Sequence, residues 1–295
     1  MRFGAALTLL LGVGALAIIS SGCRAGPALK ATQDDATRHS DLAVVLHAKG
    51  NLDAAIAEYR MALQLNPNLE ITHYNLGVAL LDTGDLDGAI AEYRMALRLN
   101  PNNVAAHNNL GIALTHTGDR NGAMTEFRTA ILLDPNDANS HGNLGRVLRD
   151  TGDLEGAIAE LRTALRLNPN HVGSHINLGS ALTDTGDLEE AITELHAALR
   201  LNPNQAVAHS NLGIALARTG DLAGAIAEFQ IALHLNPNQV EVHYYLGVAL
   251  AEQGNVPEAT KELEEFTRLA PDTLSNRPKI DAAKRQLTKI KGHKI

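Results

Sequence analysis

Proline returns every 34 residues, at Pro67, Pro101, Pro135, Pro169, Pro203, Pro237 and Pro271, and glycine keeps the same interval from Gly50 through Gly84, Gly118, Gly152, Gly186 and Gly220 to Gly254. A period held this strictly leaves little room for an ordinary globular layout. It implies a tandem array, whose units are too small to bury a core alone and must stack on their neighbours. Two helical patterns fill each period. From proline to glycine runs a segment such as VAAHNNLGIALTHT, residues 104–117, and from glycine to proline one such as DLEGAIAELRTALRLN, residues 153–168. Both place apolar residues three and four apart, so each period reads as a helical hairpin.

The punctuation has a local physical cause. Each glycine can take the left-handed conformation that ends a first helix. The residue after it, in turn Asn51, Asp85, Asp119, Asp153, Asp187, Asp221 and Asn255, offers an oxygen to the free N–H groups of the next helix. Asn66, Asn100, Asn168, Asn202 and Asn236 precede the prolines, which disfavour helical geometry just there and stop the second helix. Gly77, Gly111, Gly145, Gly179 and Gly213 are expected to face Ala89, Ala123, Ala157, Ala191 and Ala225, letting the paired helices approach closely.

These positions resemble the tetratricopeptide repeat (TPR), whose pattern sets Leu-Gly, Ala, an aromatic, Ala and Pro at fixed offsets. Leu110, Gly111, Ala123, Phe127, Ala130 and Pro135 fill them in one unit. Ala43 replaces the glycine in the first unit and Phe266 the second alanine in the last. The resemblance covers about four-fifths of the chain. It implies an all-α fold, a right-handed superhelical solenoid of seven helix-turn-helix hairpins at 36–69, 70–103, 104–137, 138–171, 172–205, 206–239 and 240–273. Residues 274–295 read as a capping helix and basic tail. Ile280, Ala283, Leu287 and Ile290 form the cap's apolar stripe, while seven Lys or Arg against Asp281 give it a basic outer face.

The first 22 residues have the order of a secretory signal: Arg2, an apolar run from Phe3 to Ile19, then small residues. They end at Cys23, the sole cysteine, and so resemble a bacterial lipoprotein signal, although Ser20 stands where that family usually has Leu. The resemblance implies lipidation of Cys23 and a flexible tether over 23–35. Arg24, in place of a retaining Asp, implies sorting to the outer membrane, facing the periplasm. An ordinary signal peptide, giving a periplasmic or secreted protein, and an uncleaved anchor are the alternatives.

Composition narrows the chemistry. A net charge of −8 provides no basic field for nucleic acid. A single cysteine excludes an internal disulfide, and no metal signature, phosphate loop or nucleophile elbow is present. Neither cofactor nor catalytic residue is expected. His39, His73, His107, His141, His175, His209 and His243 share one repeat position. Successive copies lie farther apart than the roughly 4 Å between two ligands of one metal, so they read as packing between units.

In the family, the inner face of the first helices binds peptides. Residues three and four apart share one face of a helix. The groove stripe here is then Tyr74 and Val78, Asn108 and Ile112, Arg146 and Arg149, Ser210 and Ile214, and Tyr244 and Val248. Beside it run Asn75, Asn109, Asn143, Asn177 and Asn211, amides able to pair with an extended backbone as both donor and acceptor. This resembles the asparagine ladder of O-linked N-acetylglucosamine transferases. Arg146 and Arg149, one turn apart, could fork a partner's carboxylate. The expected function is a non-enzymatic scaffold holding extended segments of envelope proteins, an assembly adaptor. The alternatives are a transferase-related repeat module lacking its catalytic domain, and a self-associating repeat protein forming homo-oligomers.

Overall fold

A computed structural model describes residues 27–273 and 276–292. The signal-like segment and Cys23 lie outside them. Fifteen α-helices make up the described residues, with no strand among them. They are α1 (Pro27–Ala48), α2 (Leu52–Leu65), α3 (Glu70–Thr83), α4 (Leu86–Leu99), α5 (Val104–Thr117), α6 (Arg120–Leu133), α7 (Ala138–Thr151), α8 (Leu154–Leu167), α9 (Val172–Thr185), α10 (Leu188–Leu201), α11 (Ala206–Thr219), α12 (Leu222–Leu235), α13 (Val240–Gln253), α14 (Val256–Leu269) and α15 (Arg277–Gly292). The stretch read as a tether is helical from Pro27 onward, continuous with the first helix of the array.

Two compact units divide the chain, one ending at Pro135 and the other beginning at Asn136. The first holds hairpins α1/α2, α3/α4 and α5/α6. The second holds α7/α8, α9/α10, α11/α12 and α13/α14, with α15 packed on α14 and α13. Within each unit, every second helix also packs on the first helix of the next hairpin. First helices meet one another, α1 with α3 and α3 with α5, then α7 with α9, α9 with α11 and α11 with α13, whereas no two second helices meet among the described residues. In each unit, therefore, first helices alone build the inner face.

The turns follow the local signals. Gly118, at φ 86°, ends α5 in the left-handed region, and its six counterparts do the same. Asn66, Asn100, Asn168, Asn202 and Asn236 each accept the N–H two residues on at 3.1–3.2 Å, closing an Asx turn around the proline.

Helix capping is only partly as expected. Asp85, Asp119, Asp153 and Asp221 accept from the N–H three residues on, but Asn51, Asp187 and Asn255 make no such bond. At these second-helix starts the closed and open caps differ in the third helical residue, although before first helices Asn103 and Asp137 close on Ala106 and Ser140. That third residue is Gly88, Gly122, Gly156 or Gly224 in the closed caps, and Ala54, Glu190 or Glu258 in the open ones. A Cβ on those glycines would stand 2.4–2.6 Å from the capping carboxylate. Asp187 instead accepts from Thr185 Oγ1 at 2.8 Å.

The close approach within hairpins also has a different cause from the one expected. The space a side chain would need at Gly77, Gly111 and Gly213 is filled by the rings of Tyr93, Phe127 and Phe229, and at Gly145 and Gly179 by Leu161 and Leu195. Of the alanines, Ala157 and Ala191 take part, through their backbone oxygens at 3.1 Å. Glycine is thus a socket for a fully buried large side chain of the partner helix. In α15, Ile280, Ala283 and Ile290 are buried and Leu287 packs beside them, covering the last hairpin. Part of the basic face is paired: Lys279 donates to Glu241 at 2.7 Å and lies 5.3 Å from the centre of the Tyr245 ring, and Arg277 donates to Asp272 at 2.8 Å.

Candidate functional site

The first helices carry the sequence-selected residues on the inner face of each unit. In the first unit, Tyr74, Asn75 and Val78 of α3 and Asn108, Asn109 and Ile112 of α5 are all half-buried. The amide of Asn109 donates across the hairpin joint to Tyr74 Oη at 3.1 Å. The Tyr74 ring stands 6.0 Å from that of Tyr93, and burial pushes its phenol above the usual range, opposed by the Asn109 bond. The side chain of Asn75 makes no hydrogen bond to another described residue.

In the second unit Asn143, Asn177 and Asn211 are half-buried, and Asn211 donates to Ser180 Oγ at 2.7 Å. Ser180 in turn donates to the Ile176 carbonyl. The ladder is therefore partly spent inside the array, because adjacent first helices bring Asn109 and Asn211 against polar groups of the hairpin before them. Asn109 and Asn211 each keep a second N–H and a carbonyl oxygen, and Asn177 has no partner among the described residues.

The basic spot is not the fork expected. Arg149 donates to its neighbour Asp150 at 2.8 Å, while Arg146 is half-buried and makes no ion pair among the described residues. Burial pulls the Arg146 guanidinium below its usual range, Asp150 opposes that, and Arg149 adds to it. Arg218 joins this face and donates to the Thr183 carbonyl. Ser210 is buried and donates to the Val207 carbonyl of its own helix, so it does not line the face. Ile214, Tyr244 and Val248 are half-buried, with the Tyr244 ring 5.3 Å from Phe266 and 5.4 Å from Tyr245. Phe266, standing where the other six hairpins have alanine, gives Tyr244 an aromatic neighbour at that position.

Family models described as TPR repeat match residues 45–84, 79–118, 145–186 and 179–220, just over half of the chain. Others described as tetratricopeptide repeat match 104–137, 126–159 and 210–272. The chain belongs to the tetratricopeptide-repeat family.

Solved tetratricopeptide-repeat folds agree. A chain of the APC/C hetero-tetramer Cut9–Hcn1 matches 84% of this chain with a TM-score of 0.73 and 19% identity; the match spans 48% of that chain. A tetratricopeptide repeat protein from Parabacteroides merdae matches 87% with a TM-score of 0.66 and 15% identity, over 99% of its own length. PilF of Pseudomonas aeruginosa matches 76% with a TM-score of 0.62 and 19% identity, over 97% of its length. At these identities the likeness shows the fold. Among curated proteins none matches. A tetratricopeptide-repeat array of this kind is a scaffold for protein–protein interaction, a fold that is typically non-catalytic.

One feature of the repeats escapes a motif scan. Each repeat histidine meets a glutamate 19 residues on, in the second helix of its own hairpin: His39 with Glu58, His73 with Glu92, His107 with Glu126, His141 with Glu160, His175 with Glu194, His209 with Glu228 and His243 with Glu262. The Nδ1–carboxylate distances are 2.5–2.6 Å. The stripe is thus a set of intra-hairpin ties as well as packing. The constant offset was available in the sequence, but it means contact only once the hairpin register is known. No group of three or more metal-ligating side chains gathers among the described residues, and no described helix is long and apolar enough to cross a membrane.

Proposed function

We propose that the inner faces of the first helices bind extended segments of other proteins and that the chain acts as an assembly adaptor in a bacterial envelope. The observation that carries this is the make-up of those faces. First helices adjoin only one another there and present half-buried Tyr74, Val78, Ile112, Ile214, Tyr244 and Val248 beside the amides of Asn109, Asn177 and Asn211, which keep unused donors and acceptors. Apolar contacts would take side chains of the bound segment, and the amides would pair with its backbone whatever its sequence. Affinity capture from solubilised membranes, comparing the wild type with a chain carrying Asn109→Ala, Asn143→Ala and Asn177→Ala, tests the assignment. Partners held by the wild type are expected to be lost from the variant. Unchanged capture by a folded variant refutes the ladder's role.

The envelope location rests on the order of residues leading to Cys23. Intact-mass measurement of the membrane fraction should find Cys23 at the new N-terminus and carrying acyl chains, and a free thiol there rejects the anchor. A self-associating array is favoured by one observation. Leu42 and Val45 of α1 are 46% and 48% exposed, whereas their counterparts Leu76 and Ala79, covered by a preceding hairpin, are at 1% and 0%. Sedimentation over a concentration series distinguishes the readings: a monomer throughout sets self-association aside.

A further inference from the structure

Four of the repeat histidines are offered an acceptor on both sides of the ring. In addition to their glutamates, His73, His107, His175 and His209 place Nε2 at 2.8–2.9 Å from the carbonyls of Pro67, Pro101, Pro169 and Pro203, in the loop that leads into their own hairpin. A neutral imidazole has one N–H and one lone pair, so it can satisfy one of these oxygens and must turn a lone pair on the other. The imidazolium has two N–H groups and satisfies both. We propose that His73 and His107 are pH-responsive ties: doubly protonated, each locks the two helices of its hairpin to the incoming loop, and on losing a proton it releases one of them, loosening the joint between consecutive hairpins.

The surrounding charges support the proposal in the first unit. For His73 of α3, burial is the largest influence and disfavours the cation. The Glu92 hydrogen bond, the Pro67 carbonyl and the Glu92 charge, all from α4 and the preceding loop, overcome it against Arg98, leaving the ring above its usual value near 6.5. For His107 of α5 the Glu126 bond leads, burial opposes it, and the Pro101 carbonyl and Glu126 charge add to it, with the same upward result. Glu92, Arg94 and Arg98 of α4 share with His107 and Glu126 an open hollow of about 670 Å³ between the hairpins. In the second unit, His171 lies within electrostatic reach of His175.

The sign follows from the direction. A proton bound more tightly in the folded than in the unfolded chain stabilises the fold fully below the unfolded value, and that stabilisation is lost as pH rises through the higher folded value. The window is therefore mildly acidic to mildly alkaline, where histidine dominates titration. The test uses the full chain labelled with ¹⁵N. Ring spectra at about pH 6.5 should show both nitrogens of His73 and His107 carrying hydrogen, with exposed His196 and His234 as internal references. A single-tautomer pattern at His73 or His107 overturns the proposal.

Thermal melts at about pH 6 and about pH 8.5 give a second readout. The wild type should lose roughly 2 °C or more on going to the higher pH, and a chain with His73→Gln and His107→Gln should lose less. Equal losses overturn the proposal, and should the double variant fail to fold, the ring spectra of the wild type decide alone.

Discussion

Adding one methyl group to Gly111 tests the hairpin geometry most directly. A Cβ there would stand 2.6 Å from Phe127 Cε1 and 2.8 Å from both Cδ1 and Cζ. Carbon atoms in contact sit at about 3.5–4.0 Å, so the ring would have to retreat by about 1 Å. Phe127 is fully buried and has no open side to move into. Overpacking of this kind costs about 1–3 kcal/mol, and replacing a helical glycine by alanine returns about 1 kcal/mol. Gly111→Ala should therefore destabilise by up to about 2 kcal/mol, against the propensity scale. Gly173 is the control, since the nearest atom to its Cβ would be His171 Cε1 at 3.6 Å. Gly173→Ala should stabilise by roughly 0.5–1 kcal/mol. Urea denaturation followed by helical circular dichroism reads both. Because Gly111 and Phe127 touch, Gly111→Ala combined with Phe127→Ala should cost less than the sum of the two alone. A Gly111→Ala chain stabilised as much as Gly173→Ala, or strict additivity in the double variant, would refute the socket.

Three further outcomes follow from buried and capping groups. The Tyr59 hydroxyl is buried with no hydrogen-bond partner among the described residues, and burial pushes its pKa up to about 12; Tyr59→Phe should leave the melting temperature unchanged or raise it, by up to about 1 kcal/mol of stability, and a clear fall would show that the hydroxyl is bonded. Asp119→Ala removes a cap bond of 2.9 Å and should cost about 1 kcal/mol, whereas Asp187→Ala, where no cap bond exists, should cost measurably less in the same urea series. Arg162 pairs with Glu190 at 2.8 and 2.9 Å, but both side chains are about half exposed, so Arg162→Ala should change stability by less than about 1 kcal/mol.

Much of the fold is legible in the sequence. Proline and glycine act on their own backbone and that of the residue beside them, so their 34-residue spacing marks where each helix stops. The asparagine before five of the seven prolines, the cap stripe of α15 and the recurring pattern of the first helices are local or periodic facts of the same kind. Candidate inner-face residues could be named because register along a helix fixes which side chains share a side.

What tertiary structure alone decided is how side chains far apart in sequence meet. Residue identity alone did not settle capping either: Asp119 closes on the Gly122 N–H, whereas Asp187 takes the Thr185 hydroxyl instead. That Gly111 receives the Phe127 ring, that Arg149 turns to Asp150 while Arg146 has no counterion among the described residues, and that Asn211 spends a donor on Ser180 all depend on how neighbouring helices are set against each other. The histidine ties show the division most plainly. Sequence supplies Pro101, His107 and Glu126, with counterparts in the periods that follow, but only the packed hairpin brings a carboxylate to one side of the ring and a carbonyl to the other, and it is that pairing on which the proposed pH response rests.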